Sequence, residues 1–198
     1  MKIVGITYYD GNASVVLKSD SSLLVNRKPL FVPDWLHELQ ALPCWVLRVS
    51  RLGKCIAPRF ASRYYDAVAA GVDFFSADKL REALAEGRPW TEAVAFENSL
   101  AVGEMEEVGS KKSEVGSKKL EVRWELRRGD EMIEQMTWAP EGMQDALDQA
   151  VARVSDLLTI RQGDLIYVAM NTRPWQLQQE DILRCTNDEQ ERLYCKIK

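Results

Sequence analysis

One histidine, His37, serves a chain of 198 residues, and the four cysteines, Cys44, Cys55, Cys185 and Cys195, form no C-x-x-C pair. A chain this poor in nitrogen donors and paired thiols excludes a zinc site by ligand spacing. The thiols are expected to pack as small hydrophobes. A catalytic cysteine would need a base beside it, and the sequence supplies none; His37, in "DWLHELQ", reads as a surface residue. Long apolar runs are also missing. Nothing approaches the ~20 residues of a membrane helix, and the apolar run in "MKIVGITYYDG" is too short for a secretory signal. A cytoplasmic protein with no membrane partner is the expectation. An excess of positive charge is lacking too: 26 Lys and Arg face 30 Asp and Glu, for a net charge of -4. A phosphate-binding surface needs clustered cations, so nucleic acid is excluded as a partner.

What is present is an ordinary globular composition, with 46% hydrophobic and 28% charged residues. That is enough for one domain over residues 1–198. "KIVGITYY" and "ASVVLKS" read as strands around a turn at Asp10-Gly11-Asn12. "RKPLFVPDW" is an edge or linker, and "CWVLRVS" is a strand. The composition of 61–70 predicts a helix stopped by Gly71. A second helix is expected over 77–86, ended by Gly87 and Pro89, and a third over 141–158, where Met143, Leu147, Ala150, Val151, Val154 and Leu158 fall at helical spacing. In "LEVRWELRRGDEMIEQM", Val122, Trp124 and Leu126 alternate with charge and predict a half-buried strand turned at Arg128-Gly129-Asp130. "GDLIYVAM" is a buried strand, and the tail after Ile182 is expected to form a last one. The hexapeptide "EVGSKK" occurs at 107–112 and again at 114–119. Two copies are too few for a solenoid, so 104–120 reads as a polar excursion. These elements predict an α+β domain with about three helices.

The segments "VVLKSDSSLL", "KPLFVPDW", "RVSRLGKCIAPRFASRYYDAV", "GVDFFSADKL", "GRPWTEAVAFENS" and "TIRQGDLIYVAMNTRPWQLQQED" follow one another over about residues 15–185. In this order and spacing the chain resembles the short, single-domain bacterial members of the fumarylacetoacetate hydrolase family. The resemblance implies a mixed, curved sheet roll. It also implies a Mg²⁺ ion held by three carboxylates, two from an E-x-E strand and one from an aspartate, acting as a Lewis acid on an enolate.

At the positions that would carry this chemistry the chain departs from the pattern. Counted back from Arg51-Leu52-Gly53-Lys54, the two glutamates fall on Leu42 and Cys44, and only Asp73 stands at a ligand position. The substrate-addressing arginine and glutamine are Ala77 and Leu80. A lysine is replaced by Val94 and the following aspartate by Glu97, while the T-G-T-P turn is Val168-Ala169-Met170-Asn171. Asp73 is therefore a vestigial metal-ligand position, Leu42 and Cys44 are lost ones, and no catalytic residue, metal or cofactor is expected. Lys18 and Glu97 are expected to line what remains of the pocket beside Asp73, and a Lys18–Asp73 ion pair would replace the lost cation. Trp175 is expected at a cavity mouth. The resulting expectation is an inactive member with a binding or assembly role, forming a homodimer or pairing with an active paralogue. The alternative is an active metal-dependent hydrolase or decarboxylase of acylpyruvate or 2-oxo acid substrates.

Overall fold

The computed structural model describes residues 1–9, 12–108, 122–138, 142–170, 172–187 and 190–198. A nine-stranded mixed sheet dominates it. The strands along its main path are β1 (Ile3–Thr7), β2 (Ser14–Lys18), β3 (Leu23–Val25), β4 (Leu39–Val49), β5 (Tyr65–Ser76), β6 (Leu100–Val102) and β10 (Leu165–Ala169). Their order is β2-β1-β10-β4-β5-β6-β3, with β7 (Glu106–Glu107) beside β5 and β11 (Trp175–Gln176) beside β4. A second, antiparallel sheet holds β8 (Val122–Arg128), β9 (Glu131–Trp138), β12 (Ile182–Asn187) and β13 (Gln190–Lys196) in the order β13-β12-β8-β9.

The connection between β2 and β3 fixes the shape of the large sheet. These strands stand at opposite ends of its main path, yet only residues 19–22, mostly a single 3-10 turn over Asp20–Ser22, join them. Such a link spans at most about 19 Å. The sheet must therefore curl until its ends nearly meet, giving it an inside and an outside. Alternation along the strands sorts the side chains accordingly. Ile3, Leu42, Cys44, Val46, Ala69, Phe75, Leu165, Tyr167 and Ala169 fill the inside. Val4, Ile6, Trp45, Leu47, Val68, Val72, Phe74, Ile166 and Val168 face out into the main core. That outer core is covered by α4 (Met143–Leu157), through the buried stripe Met143, Leu147, Ala150, Val151 and Val154, and by the second sheet.

The second sheet is pinned at defined points. Trp124 meets Trp45 edge to face at 5.1 Å and donates its indole N–H to the carbonyl of Gly71 at 3.2 Å. Gly103 is required where β13 crosses, because a Cβ there would lie 2.3 Å from the carbonyl oxygen of Arg192. Three short helices complete the fold: α1 (Pro58–Ala61), α2 (Ala77–Ala85) and α3 (Thr91–Val94). α2 ends at Gly87, in the left-handed region at φ 64°, as its stop signal predicts.

One predicted element is wrong in kind. Residues 65–76 form strand β5 and not a helix from 61 to 70; only Pro58–Ala61 is helical there. "YYDAVAAGVDFFS" is rich in helix-favouring alanine, and burial on both faces hides the period of two by which a strand is recognised. Gly71 is no helix stop. It lies mid-strand, where a Cβ would meet Val46 Cγ2 at 2.6 Å and Cys44 Sγ at 2.9 Å. The helix expected over 141–158 runs from Met143 to Leu157, and the tail forms two strands, β12 and β13. Of the 104–120 excursion, residues 109–120 lie outside the described residues, as do Asp10 and Gly11 of the first turn.

Thiol accessibility tests this placement. Cys55 is exposed, whereas Cys44, Cys185 and Cys195 are buried, and burial pushes the Cys195 thiol up to about 12 and the Cys44 thiol well above its usual range. An aromatic disulfide reagent is expected to react quickly with Cys55 alone in the native protein. Slow release of the other thiols should follow the rate of unfolding.

Candidate functional site

Inside the roll lies a buried charge pair. Asp73 points inward from β5, opposite Leu42 of β4 on one side and Leu100 of β6 on the other. Lys18, the last residue of β2, is separated from β5 in the sheet order by β1, β10 and β4. It reaches Asp73 only because the sheet curls. Its Nζ lies 2.6 Å from Asp73 Oδ1, and both side chains are 0% exposed. The ammonium also donates to the Ser99 carbonyl at 2.9 Å and to Ser99 Oγ at 3.1 Å. The other carboxylate oxygen, Oδ2, accepts from the Tyr9 hydroxyl at 2.9 Å and from Thr7 Oγ1 at 3.1 Å. Both oxygens of Asp73 are thus engaged, and so is each face of the ammonium that polar atoms surround.

The surroundings are aromatic and apolar. The Tyr167 ring centre is 5.6 Å from Lys18 Nζ, within cation–π range. Tyr167 has room because its neighbour in register is Gly5, where a Cβ would fall 2.0 Å from the ring. Tyr9 lies tilted against Phe75 at 4.6 Å and edge-on to Trp90 at 6.3 Å, closing the cluster. This environment shapes the titration of its members. Burial lowers the pKa of Lys18, with the Asp73 charge opposing it. Burial, and then the Asp73 charge, push the Tyr9 and Tyr167 hydroxyls and the Cys44 thiol well above their usual values. Charge at this site is confined to the pair.

The register brings together the positions singled out from the sequence. Leu42 is paired with Asp73 and Cys44 with Gly71, so Leu42, Cys44 and Asp73 share one face of adjacent strands. Leu42, Cys44, Ala77, Leu80, Val94 and Ala169 all belong to the one apolar cluster inside the roll. Val168 and Met170 face the outer core, and Asn171 lies outside the described residues. One expectation needs correction. Glu97 is exposed and does not join the buried pair, since the turn carrying it faces solvent before Ser99 and Leu100 dip inward. Trp175 is buried in the outer core, paired with Ala41 of β4. His37 is exposed.

Thr7, Tyr9, Ser99 and Tyr167 were not legible as site residues. The available signal was a chemical requirement: a carboxylate on a buried strand must find donors. "ITYYDG" places hydroxyls within reach of the inward face of β1.

No family model matches the sequence, and no curated protein matches it significantly. Solved structures do match in fold. A fumarylpyruvate hydrolase from Pseudomonas aeruginosa, determined with Mn²⁺ and pyruvate, superposes with a TM-score of 0.78 at 17% identity, over 99% of this chain and 88% of that one. A Yersinia pestis protein assigned to the fumarylacetoacetate hydrolase family gives 0.79 at 15% identity, over 100% and 92%. A 5-carboxymethyl-2-hydroxymuconate delta-isomerase from Mycobacterium smegmatis gives 0.72 at 13%, over 99% and 78%. The chain has the fumarylacetoacetate hydrolase-like fold, an α+β roll.

The residues present do not fit the divalent ion that this fold suggests. A hard cation needs several oxygen ligands. Asp73 offers one carboxylate, already bound on both oxygens, and its neighbours on that face are an alkyl group and a thiol held in its protonated form. Among the described residues no three His, Cys, Asp or Glu side chains converge on a metal-sized site.

The ion pair makes a test of stability possible. Lys18→Met strands a buried carboxylate and is expected to cost about 3–5 kcal/mol, whereas Lys18→Met with Asp73→Leu removes both charges and should cost much less. A carboxyl buried without its cation favours the protonated acid, so its folded-state pKa lies above its unfolded one. Its stability contribution is then present at low pH and lost as pH rises. Urea unfolding should find Lys18→Met closer to wild type at pH 5 than at pH 8, and the double variant should show no such trend.

Proposed function

We propose that this protein is a fumarylacetoacetate hydrolase-like chain that has left metal-dependent catalysis and serves in binding or assembly. One observation carries this reading. Of the positions where the resemblance calls for metal or substrate contacts, Leu42, Cys44, Ala77, Leu80, Val94 and Ala169 form a continuous apolar cluster inside the roll. Leu42 and Cys44 are 0% exposed and Leu80 is 4% exposed. Burying a leucine in this way contributes about 1.5–3 kcal/mol. The interior has become core, and core residues cannot also address a substrate from solvent.

Metal chemistry in the neighbours, such as the Mn²⁺ and pyruvate of the Pseudomonas hydrolase, belongs to those proteins; fold alone does not transfer it. What remains to this chain is its surface. No helix among the described residues is long and apolar enough to cross a membrane. Exposed Phe31 and Trp35, at 68% and 46%, are side chains of the sort enriched in protein interfaces. They support a self-association role, as a homodimer or with a chain of the same fold.

Two measurements decide the reading. Calorimetry with millimolar Mg²⁺ or Mn²⁺ is expected to show no binding heat, and acylpyruvates and oxaloacetate are expected to be stable in the presence of the protein. Saturable metal binding with turnover would instead support the active hydrolase or decarboxylase. Sedimentation at micromolar concentration is expected to show a dimer.

A further inference from the structure

We infer that the Lys18 ammonium is a built-in counter-cation: it occupies a cation-binding cavity formed by Asp73, Ser99 and Tyr167, and excludes any mobile cation from it. The inference rests on the reading above only in regarding the roll as free of metal. The cavity itself is defined by its atoms. Asp73 Oδ1 at 2.6 Å, the Ser99 carbonyl at 2.9 Å and Ser99 Oγ at 3.1 Å are three oxygens arranged around one point. The Tyr167 ring, at 5.6 Å, presents its electron-rich side to that point. Phe74 adds a carbonyl at 3.5 Å. None of these groups can donate to a neutral amine except the serine hydroxyl, and together they ask for positive charge.

The other half of the shell stabilises the anion. Tyr9 and Thr7 donate to the remaining carboxylate oxygen, so Oδ2 is already occupied and Oδ1 is the oxygen turned toward the cation. A mobile ion in this position would be lost at low concentration. A cation tethered to β2 cannot diffuse away, and it needs no ordered waters and only one counter-charge. Its chemistry is that of a primary alkylammonium: a compact charge with three donors, followed by an alkyl stem. Lys18 pairs in register with Ile3 and shares its face of β2 with Val16, both buried. Asp73 is consequently retained as a partner for Lys18 and has no call on a metal.

Removing the tether while leaving the cavity provides the test. Lys18→Ala should bind n-propylammonium, which replaces the lost stem and charge. Its melting temperature should rise by several degrees in propylammonium chloride relative to sodium chloride or tetramethylammonium chloride at equal ionic strength. Wild type and Lys18→Ala/Asp73→Leu should show no such difference. If Lys18→Ala does not fold unaided, the readout becomes refolding yield with each salt, and the same ranking is expected. Equal responses to the three salts, or rescue that persists without Asp73, would overturn the inference.

A second arm separates this from the metal question. Free Mn²⁺, followed by its electron paramagnetic resonance signal, should be bound at least tenfold more tightly by Leu42→Glu/Cys44→Glu/Lys18→Gln than by Leu42→Glu/Cys44→Glu. Equal affinity in the two would overturn exclusion by the ammonium. Tight Mn²⁺ binding by wild type would overturn both this inference and the proposed loss of metal chemistry, whereas rescue by propylammonium with no metal bound by wild type sustains both.

Discussion

A charge sealed inside a sheet roll must be neutralised where it stands, and much of this protein follows from how that is done for Asp73. Taking a carboxylate out of water costs several kcal/mol even after relaxation, so an unaccompanied aspartate on the inner face of β5 would unfold or protonate. Lys18 answers the charge, Ser99 shares the ammonium, and Tyr9 and Thr7 share the carboxylate. These five residues come from β1 and the segment after it, β2, β5 and the residue before β6. The pair therefore ties an end strand of the sheet path to a central strand through side chains, in addition to the backbone ladders. Buried pairs of this kind contribute more to a unique arrangement than to net stability; the one arrangement that satisfies this pair is the curled one.

The roll and the pair depend on each other geometrically. Residues 19–22 force the ends of the sheet together, and this brings Lys18 within reach of β5. The interior that results is narrow. Gly5 is needed to admit Tyr167, and Gly71 is needed where Val46 and Cys44 press on β5. Among the described residues, the Lys18, Asp73 and Tyr167 side chains at its centre are all but fully buried.

Much of this was legible in the sequence, and the failures have physical reasons. The ordered segments identified the fold class; the resemblance assigned Leu42, Cys44 and Asp73 to one site, and the strand register sets these three on one face. Trp124 and Leu126 announced their strand by alternation because the second sheet keeps a polar outer face. β5 did not, because burial on both sides removes the polar half of the pattern and alanine then reads as helix. Glu97 was misplaced for a different reason: sequence proximity to the buried Ser99 says nothing about where a turn points. Tyr9 and Tyr167 carried no motif at all. Hydrogen-bond partners drawn from distant strands are set by curvature, and curvature is a property of the whole sheet.

The position of β1 also has a consequence for how the chain is made. Its partners on one side are the nearby residues of β2, but on the other side Ile3 pairs with Leu165 and Lys2 binds Asp164, 162 residues later. At roughly 5–20 residues per second of synthesis, the first strand waits about 8–30 s for its second neighbour. Through that interval a hairpin can form, but its long edge stays open and Lys18 has nowhere to go. β13 likewise holds Leu30 and Glu104 by backbone hydrogen bonds, so early segments of both sheets wait for late ones. Until β10 is made, the unpaired edge of that hairpin is open to pairing with other chains.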